Sequence, residues 1–192
     1  MRKVNIILVV IVGWLFTAVR AGAQDTNAPL TNLEVFEAQT GTVIVKGSAM
    51  IGTIPAGTGT VSVRAKESTD PGSGRKEYGI AVELKEGSRP EDTTMVDYDE
   101  LGSFLNGIDY ISKVNHGVTS LPSFDVIYTT GGGLRLGVYT SNRRPGTIQA
   151  ALQSGHLNRT RILLSADQLT RFQGLIQQAK GKLDSLREIK QP

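Results

Sequence analysis

The chain has 192 residues, with 21 Lys and Arg against 18 Asp and Glu, a formal net charge of +3, two His and no Cys. The lack of cysteine excludes a disulfide scaffold, Cys-ligated zinc, an iron–sulfur cluster and a thiol nucleophile. At 39% hydrophobic and 20% charged residues the composition suits a globular domain rather than a disordered chain, and the length fits one domain or two small ones.

Residues 1–23 have the layout of an export signal: Arg2 and Lys3, an apolar run from Ile6 to Val19, then the small residues Ala21, Gly22 and Ala23 before Gln24. The run is 14 residues long, short of the roughly 20 that a spanning helix needs. Cleavage after Ala23 is expected, which makes the product periplasmic or secreted with no membrane anchor. Removing these residues takes away Arg2, Lys3, Arg20 and Trp14, leaving 18 basic and 18 acidic side chains on residues 24–192. The apparent basicity of the chain thus belongs to its leader.

Residues 24–32 are polar with Pro29 among them, and read as a flexible leader to a single domain over 33–192. Strand character follows at 43–47, 60–67, 78–86 and 93–96, with turn chemistry between: Gly57-Thr58-Gly59, Asp70-Pro71-Gly72-Ser73-Gly74 and Gly87-Ser88-Arg89-Pro90. From Asp97 the period changes. Leu101, Phe104, Leu105, Ile108 and Ile111 fall on one helical face, with Asp97 as expected N-cap and Glu100 completing a capping box. Asn115-His116-Gly117 stops this helix. Strands are then expected at 124–130, 134–141, 146–153 and 160–164, broken by Gly131-Gly132-Gly133 and Arg143-Arg144-Pro145-Gly146. A second helix begins at Ala166, with Ser165 and Gln168 as its capping box.

The two helix entrances align at a constant offset of 68: Val96 with Leu164, Asp97 with Ser165, Leu101 with Leu169, Phe104 with Phe172 and Ile108 with Ile176. The expected fold is α+β, two ββββα halves over 33–116 and 117–192, an internal repeat of antiparallel sheet with one helix per half. A four-stranded meander and a helix, used twice, resembles the Whirly and Pur-alpha type of single-strand nucleic-acid-binding protein. The segment ILLSADQLTRFQGLIQQAKGKL (162–183) is similar to the strand-into-helix ending of that group. The resemblance implies a sheet face carrying basic and aromatic residues against nucleic acid. Strand alternation puts Arg64, Lys66, Glu83, Lys85, Arg135, Tyr139 and Arg161 on faces away from the helices. Tyr139 is the lone aromatic among them, whereas stacking platforms use several. With the export signal, this argues against a nucleic-acid partner.

No G-x-S-x-G elbow, H-E-x-x-H or phosphate-binding loop is present, and the glycine clusters lie between strands rather than before a helix. His116 and His156 sit in separate turns, so no metal site or catalytic residue is assigned and no cofactor is expected. The acids Glu91, Asp92, Asp97, Asp99 and Glu100 lack calcium-loop spacing and read as a helix entrance.

Charge is divided unevenly. Residues 24–116 carry 14 acids and 8 bases, and residues 117–192 carry 4 acids and 10 bases. The two halves can complement each other, or the second can present an anion-binding or partner-binding surface at Arg135, Arg143, Arg144, Arg159 and Arg161. In the last helix Leu169, Phe172, Ile176, Ala179, Leu183 and Leu186 form a seam that suits either its own sheet or a homodimer through 166–188. The functional expectation is a non-catalytic exported domain that binds a protein or an anionic polymer at the cell envelope. The alternatives are a hydrolase using acids of 91–100, and single-strand nucleic-acid binding by analogy of fold.

Overall fold

The computed structural model describes residues 31–57, 59–140, 146–154 and 160–188. Two antiparallel four-stranded sheets, each a simple meander, are each followed by a helix. The first sheet comprises β1 (Val45–Ala56), β2 (Gly59–Thr69), β3 (Lys76–Glu86) and β4 (Asp92–Asp97). Helix α2 (Leu101–Ser112) follows through a single 3-10 turn. The second sheet comprises β5 (Asp125–Thr129), β6 (Arg135–Thr140), β7 (Ile148–Gln153) and β8 (Arg161–Leu164), and α3 (Ala166–Glu188) follows it. A short helix, α1 (Asn32–Glu37), precedes β1.

The helices are exchanged between halves. α3 lies on β1 and β2 of the first sheet, α2 lies on β5 and β6 of the second, and the two helices touch. One hydrophobic core therefore draws on both sheets and both helices. At its centre the rings of Phe104 and Phe172 meet edge to face, with centroids 6.0 Å apart. The pairs aligned at offset 68 are all buried: Val96 and Leu164, Leu101 and Leu169, Phe104 and Phe172, Ile108 and Ile176. Each such side chain contributes roughly 1.5–3 kcal/mol through burial.

Strand pairing extends the correspondence into the sheets. The inward row Gly52–Val63–Val82–Thr94 of the first sheet occupies the place of Tyr128–Leu136–Leu152–Ile162 in the second. Gly107 of α2 faces the Tyr128 ring, and its counterpart at offset 68, Leu175 of α3, faces Gly52. One contact has glycine on the helix and a large residue on the strand, and its counterpart has the reverse. Total volume is kept while the partners trade size, the kind of exchange a close-packed core accepts.

The helix entrances share this logic with different atoms. Ser165 and Gln168 form the expected capping box, with Gln168 N–H donating to Ser165 Oγ at 3.2 Å and Ser165 N–H to Gln168 Oε1 at 2.7 Å. The Gln168 amide also donates to the Pro55 carbonyl at 2.8 Å. In the first half Glu100 instead accepts from Gly131 N–H at 2.9 and 3.0 Å. Gly131 occupies the position of Pro55, and proline has no N–H to offer, so an amide donor replaces the carboxylate there.

Four expectations are corrected. Asp97 does not cap α2: its carboxylate accepts from Asn32 N–H at 2.7 Å and Leu33 N–H at 3.0 Å, capping α1 from 65 and 64 residues away. Residues 31 and 32, assigned to a flexible leader over 24–32, are instead ordered: buried Thr31 forms a capping box with half-buried Glu34 that starts α1. The first strand does not stop at 47 but runs to Ala56, with a bulge between Met50 and Gly52. The seam of α3 packs within its own chain, but on the first sheet rather than on the one it follows: Leu169, Phe172, Ile176, Ala179 and Leu183 are buried there. A homodimer through 166–188 would have to use the opposite, polar side of the helix.

Candidate functional site

The outer faces of the two sheets differ in what lies over them. On the first, α1 sits across β2, β3 and β4. Its buried Leu33 and Phe36 supply the apolar contact. Glu37 binds Lys46 at 3.0 Å, Lys66 at 2.7 Å and the Ser68 hydroxyl at 2.7 Å. Burial pushes the Glu37 carboxyl upward, but the hydrogen bonds from Lys66, Ser68 and Lys46 outweigh it and hold it below its ordinary value. Next to this, Arg64 pairs with Glu83 at 2.7 Å. This face is largely closed by its own residues.

The outer face of β5–β8 carries no helix among the described residues. Period-two alternation and the antiparallel register arrange it in three rows. Asp125, Tyr139 and Gln149 form one edge. Ile127, Gly137, Ala151 and Leu163 cross the middle, and Thr129, Arg135, Gln153 and Arg161 form the other edge. The two small residues at the centre of the middle row leave a trough between Ile127 and Leu163. Those large apolar side chains are 49% and 46% exposed, while Ala151 at the bottom is 6% exposed. The guanidinium of Arg161 leans across the trough to lie 4.4 Å from the centre of the Tyr139 ring. Such a contact is worth about 0.5–1 kcal/mol at an exposed site and restricts where the charge can point.

The concavity continues beyond the sheet. Ala56, Gly57 and Glu86 from the end of the first sheet, with Ser123 and Phe124 ahead of β5, complete its walls. Its volume is about 1350 Å³, above the roughly 300–1,000 Å³ of clefts that enclose a small molecule.

Of the arginines expected to form an anion-binding surface, the structure brings Arg135 and Arg161 together on one row of this face, separated by Gln153. Arg143, Arg144 and Arg159 lie outside the described residues. Among the described residues the expected complementarity between halves is not built from ion pairs. Every described ion pair joins residues of the same half, from Lys46–Glu37 in the first to Lys180–Asp184 in the second. The halves meet through the hydrophobic core instead, and Arg135 and Arg161 are left without a carboxylate partner among the described residues. Sequence reasoning passed over Ile127, Gly137, Ala151, Leu163, Gln149 and Gln153. Two small residues opposite each other in mid-strand, between exposed apolar ones, were the available signal.

The acidic cluster has structural work. Asp92 is buried and accepts hydrogen bonds from the Ser154 hydroxyl and from Thr160 N–H across the halves. Asp97 holds α1, and Glu100 holds the β5–β6 turn. Burial raises the Glu100 carboxyl above its ordinary value, opposed by the Gly131 N–H and reinforced by Asp97 and Asp99. His116 Nε2 lies 3.0 Å from the Gly146 carbonyl, and its ring packs edge-on against Phe124. His156 lies outside the described residues. No three His, Asp or Glu side chains converge in a metal-binding cluster among the described residues.

A smaller hollow lies beside the end of α3, lined by Lys76, Tyr78, Tyr98, Lys180, Asp184, Arg187 and Glu188. Tyr98, Lys180, Asp184 and Arg187 are engaged with one another. Tyr98 donates to Asp184, Lys180 binds the same carboxylate at 2.9 Å, and the Arg187 guanidinium covers the Tyr98 ring at 3.9 Å. The hydrogen bond to Asp184 raises the Tyr98 hydroxyl, and the bonds from Tyr98 and Lys180 lower the Asp184 carboxyl. This hollow is a clasp fixing α3 to the first half.

No family model, curated protein or solved structure matches this chain. The comparisons thus lend no support to a likeness with the Whirly and Pur-alpha type beyond the order of elements.

Proposed function

We propose that this protein is an exported, non-catalytic binding module whose partner, a protein or an anionic polymer at the cell envelope, lies across the open face of β5–β8. The observation that carries the reading is the unequal treatment of two corresponding faces. One is closed by α1 and by its own ion pairs. The other keeps Arg135 and Arg161 without a carboxylate partner among the described residues, beside a trough between half-exposed Ile127 and Leu163. Exposed apolar surface bordered by fixed charge is what an interaction site presents. Export is supported by the layout of residues 1–23, and the described residues contain no helix long and apolar enough to cross a membrane.

The test is binding of the full chain, without residues 1–23, to dextran sulfate and to polyglutamate over a range of salt. Affinity for at least one is expected to fall steeply with salt and to drop about tenfold or more in the double variant Arg135→Ala/Arg161→Ala. Binding indifferent to salt or to the double variant, or no binding at low salt, counts against the proposal. Export is tested separately: protein recovered outside the cytoplasm should begin at Gln24.

A further inference from the structure

The chain itself shows what it lays over a strand face. α1 offers two apolar side chains, Leu33 and Phe36, and a carboxylate, Glu37, which gathers Lys46, Lys66 and Ser68 from the sheet below. The outer face of β5–β8 presents the matching half of such a contact with nothing described in place on it. Its apolar part is Ile127 and Leu163 on either side of Gly137 and Ala151, and its cationic part is Arg135 and Arg161.

We infer that this face docks an acidic amphipathic segment of another protein. Apolar side chains of the partner pack on exposed Ile127 and Leu163, on either side of the Arg161 side chain that crosses the trough, and its carboxylates meet Arg135 and Arg161. The inference rests on the reading of this face as the binding surface, and narrows its occupant to a polypeptide. The trough decides between polymer and peptide. A purely ionic polymer would bridge the two arginines and leave Ile127 and Leu163 wet. A peptide with apolar residues would remove them from water, which stabilises by about 25 cal/mol for each Å² buried. The arginines decide the sign: each guanidinium offers a planar fork suited to a carboxylate, and no acid of this chain occupies either one among the described residues. Arg161 is already oriented by Tyr139, so less rotamer freedom is lost on binding.

A displayed library of random peptides selected against the full chain without residues 1–23 tests this. The expected result is enrichment of peptides that interleave Asp or Glu with Leu, Ile or Phe. Their synthetic forms should bind about tenfold or more weakly to Arg135→Glu/Arg161→Glu. They should also weaken on Ile127→Ser/Leu163→Ser. All four positions are exposed, and circular dichroism would verify that both variants keep the wild-type fold. Enriched peptides lacking acids or lacking apolar residues, or peptides indifferent to both variants, would overturn the inference. If no peptide is enriched while dextran sulfate binds, the peptide inference fails and the broader binding proposal stands. If neither binds, both fail.

Discussion

Thr94 is fully buried, and its hydroxyl is the one described buried side-chain group without a hydrogen-bond partner. Its counterpart in the second sheet is Ile162, so the position is built for an apolar side chain. Thr94→Val should raise unfolding free energy by roughly 1–2 kcal/mol, since an unsatisfied buried hydroxyl carries that order of cost; urea denaturation measures it. Glu37 and Glu100 give pH tests of opposite sign. The Glu37 carboxyl lies below its ordinary value of 4.5 in the folded chain. Its stabilising share is therefore complete above that value and lost as pH falls through the folded pKa. In Glu37→Gln that part of the acid-side loss should be missing from thermal melts. The Glu100 carboxyl is raised, so the folded chain holds its proton longer and stability is lost as pH rises past the ordinary value of 4.5. Glu100→Gln installs the residue that the second half uses at Gln168. Its stability relative to wild type should be greater near neutral pH and decline as the pH is lowered.

At the scale of elements, the exchanged contacts Gly107–Tyr128 and Leu175–Gly52 make a closed prediction. Gly107→Leu alone drives a side chain into the Tyr128 ring, and overpacking of this kind costs about 1–3 kcal/mol. Combining it with Tyr128→Gly recreates the pairing of the first half and should recover part of that loss in a double-mutant cycle. Additive losses would mean that the two positions do not share one packing volume. This level also separates what was legible in the sequence from what was not. The alternation of β2, β3 and β5–β8 and the seam of α3 could be read, because each is a short-range period imposed by burial on one side. The role of Asp97 could not, because a carboxylate at a strand–helix junction has the same signature whether it caps its own helix or one about 65 residues away. α1 escaped notice because six residues give too little periodicity. The Thr31-x-x-Glu34 box and the Leu33–Phe36 spacing were its only local marks.

The whole molecule depends on the exchange of helices. The helix that follows each sheet lies mainly on the other sheet, so neither half buries the inner apolar face of its sheet alone. Residues 33–116 expressed alone should be unfolded, or should pair as two copies that reproduce the exchange; a stable folded monomer would contradict this arrangement. The balance of charge takes on a different meaning at this scale. Among the described residues no ion pair joins a base of the second half to an acid of the first, and two of those bases stand on the open face of the second sheet. Whether a partner occupies that face is tested most directly by placing a photo-reactive amino acid at Ile127, and separately at its counterpart Met50 on the first sheet, in cells that make the protein. The account predicts a discrete cross-linked species from position 127 that is absent from position 50 and lost when Arg135 and Arg161 are replaced by Glu. Equal cross-linking from both positions, or none from position 127, would contradict it.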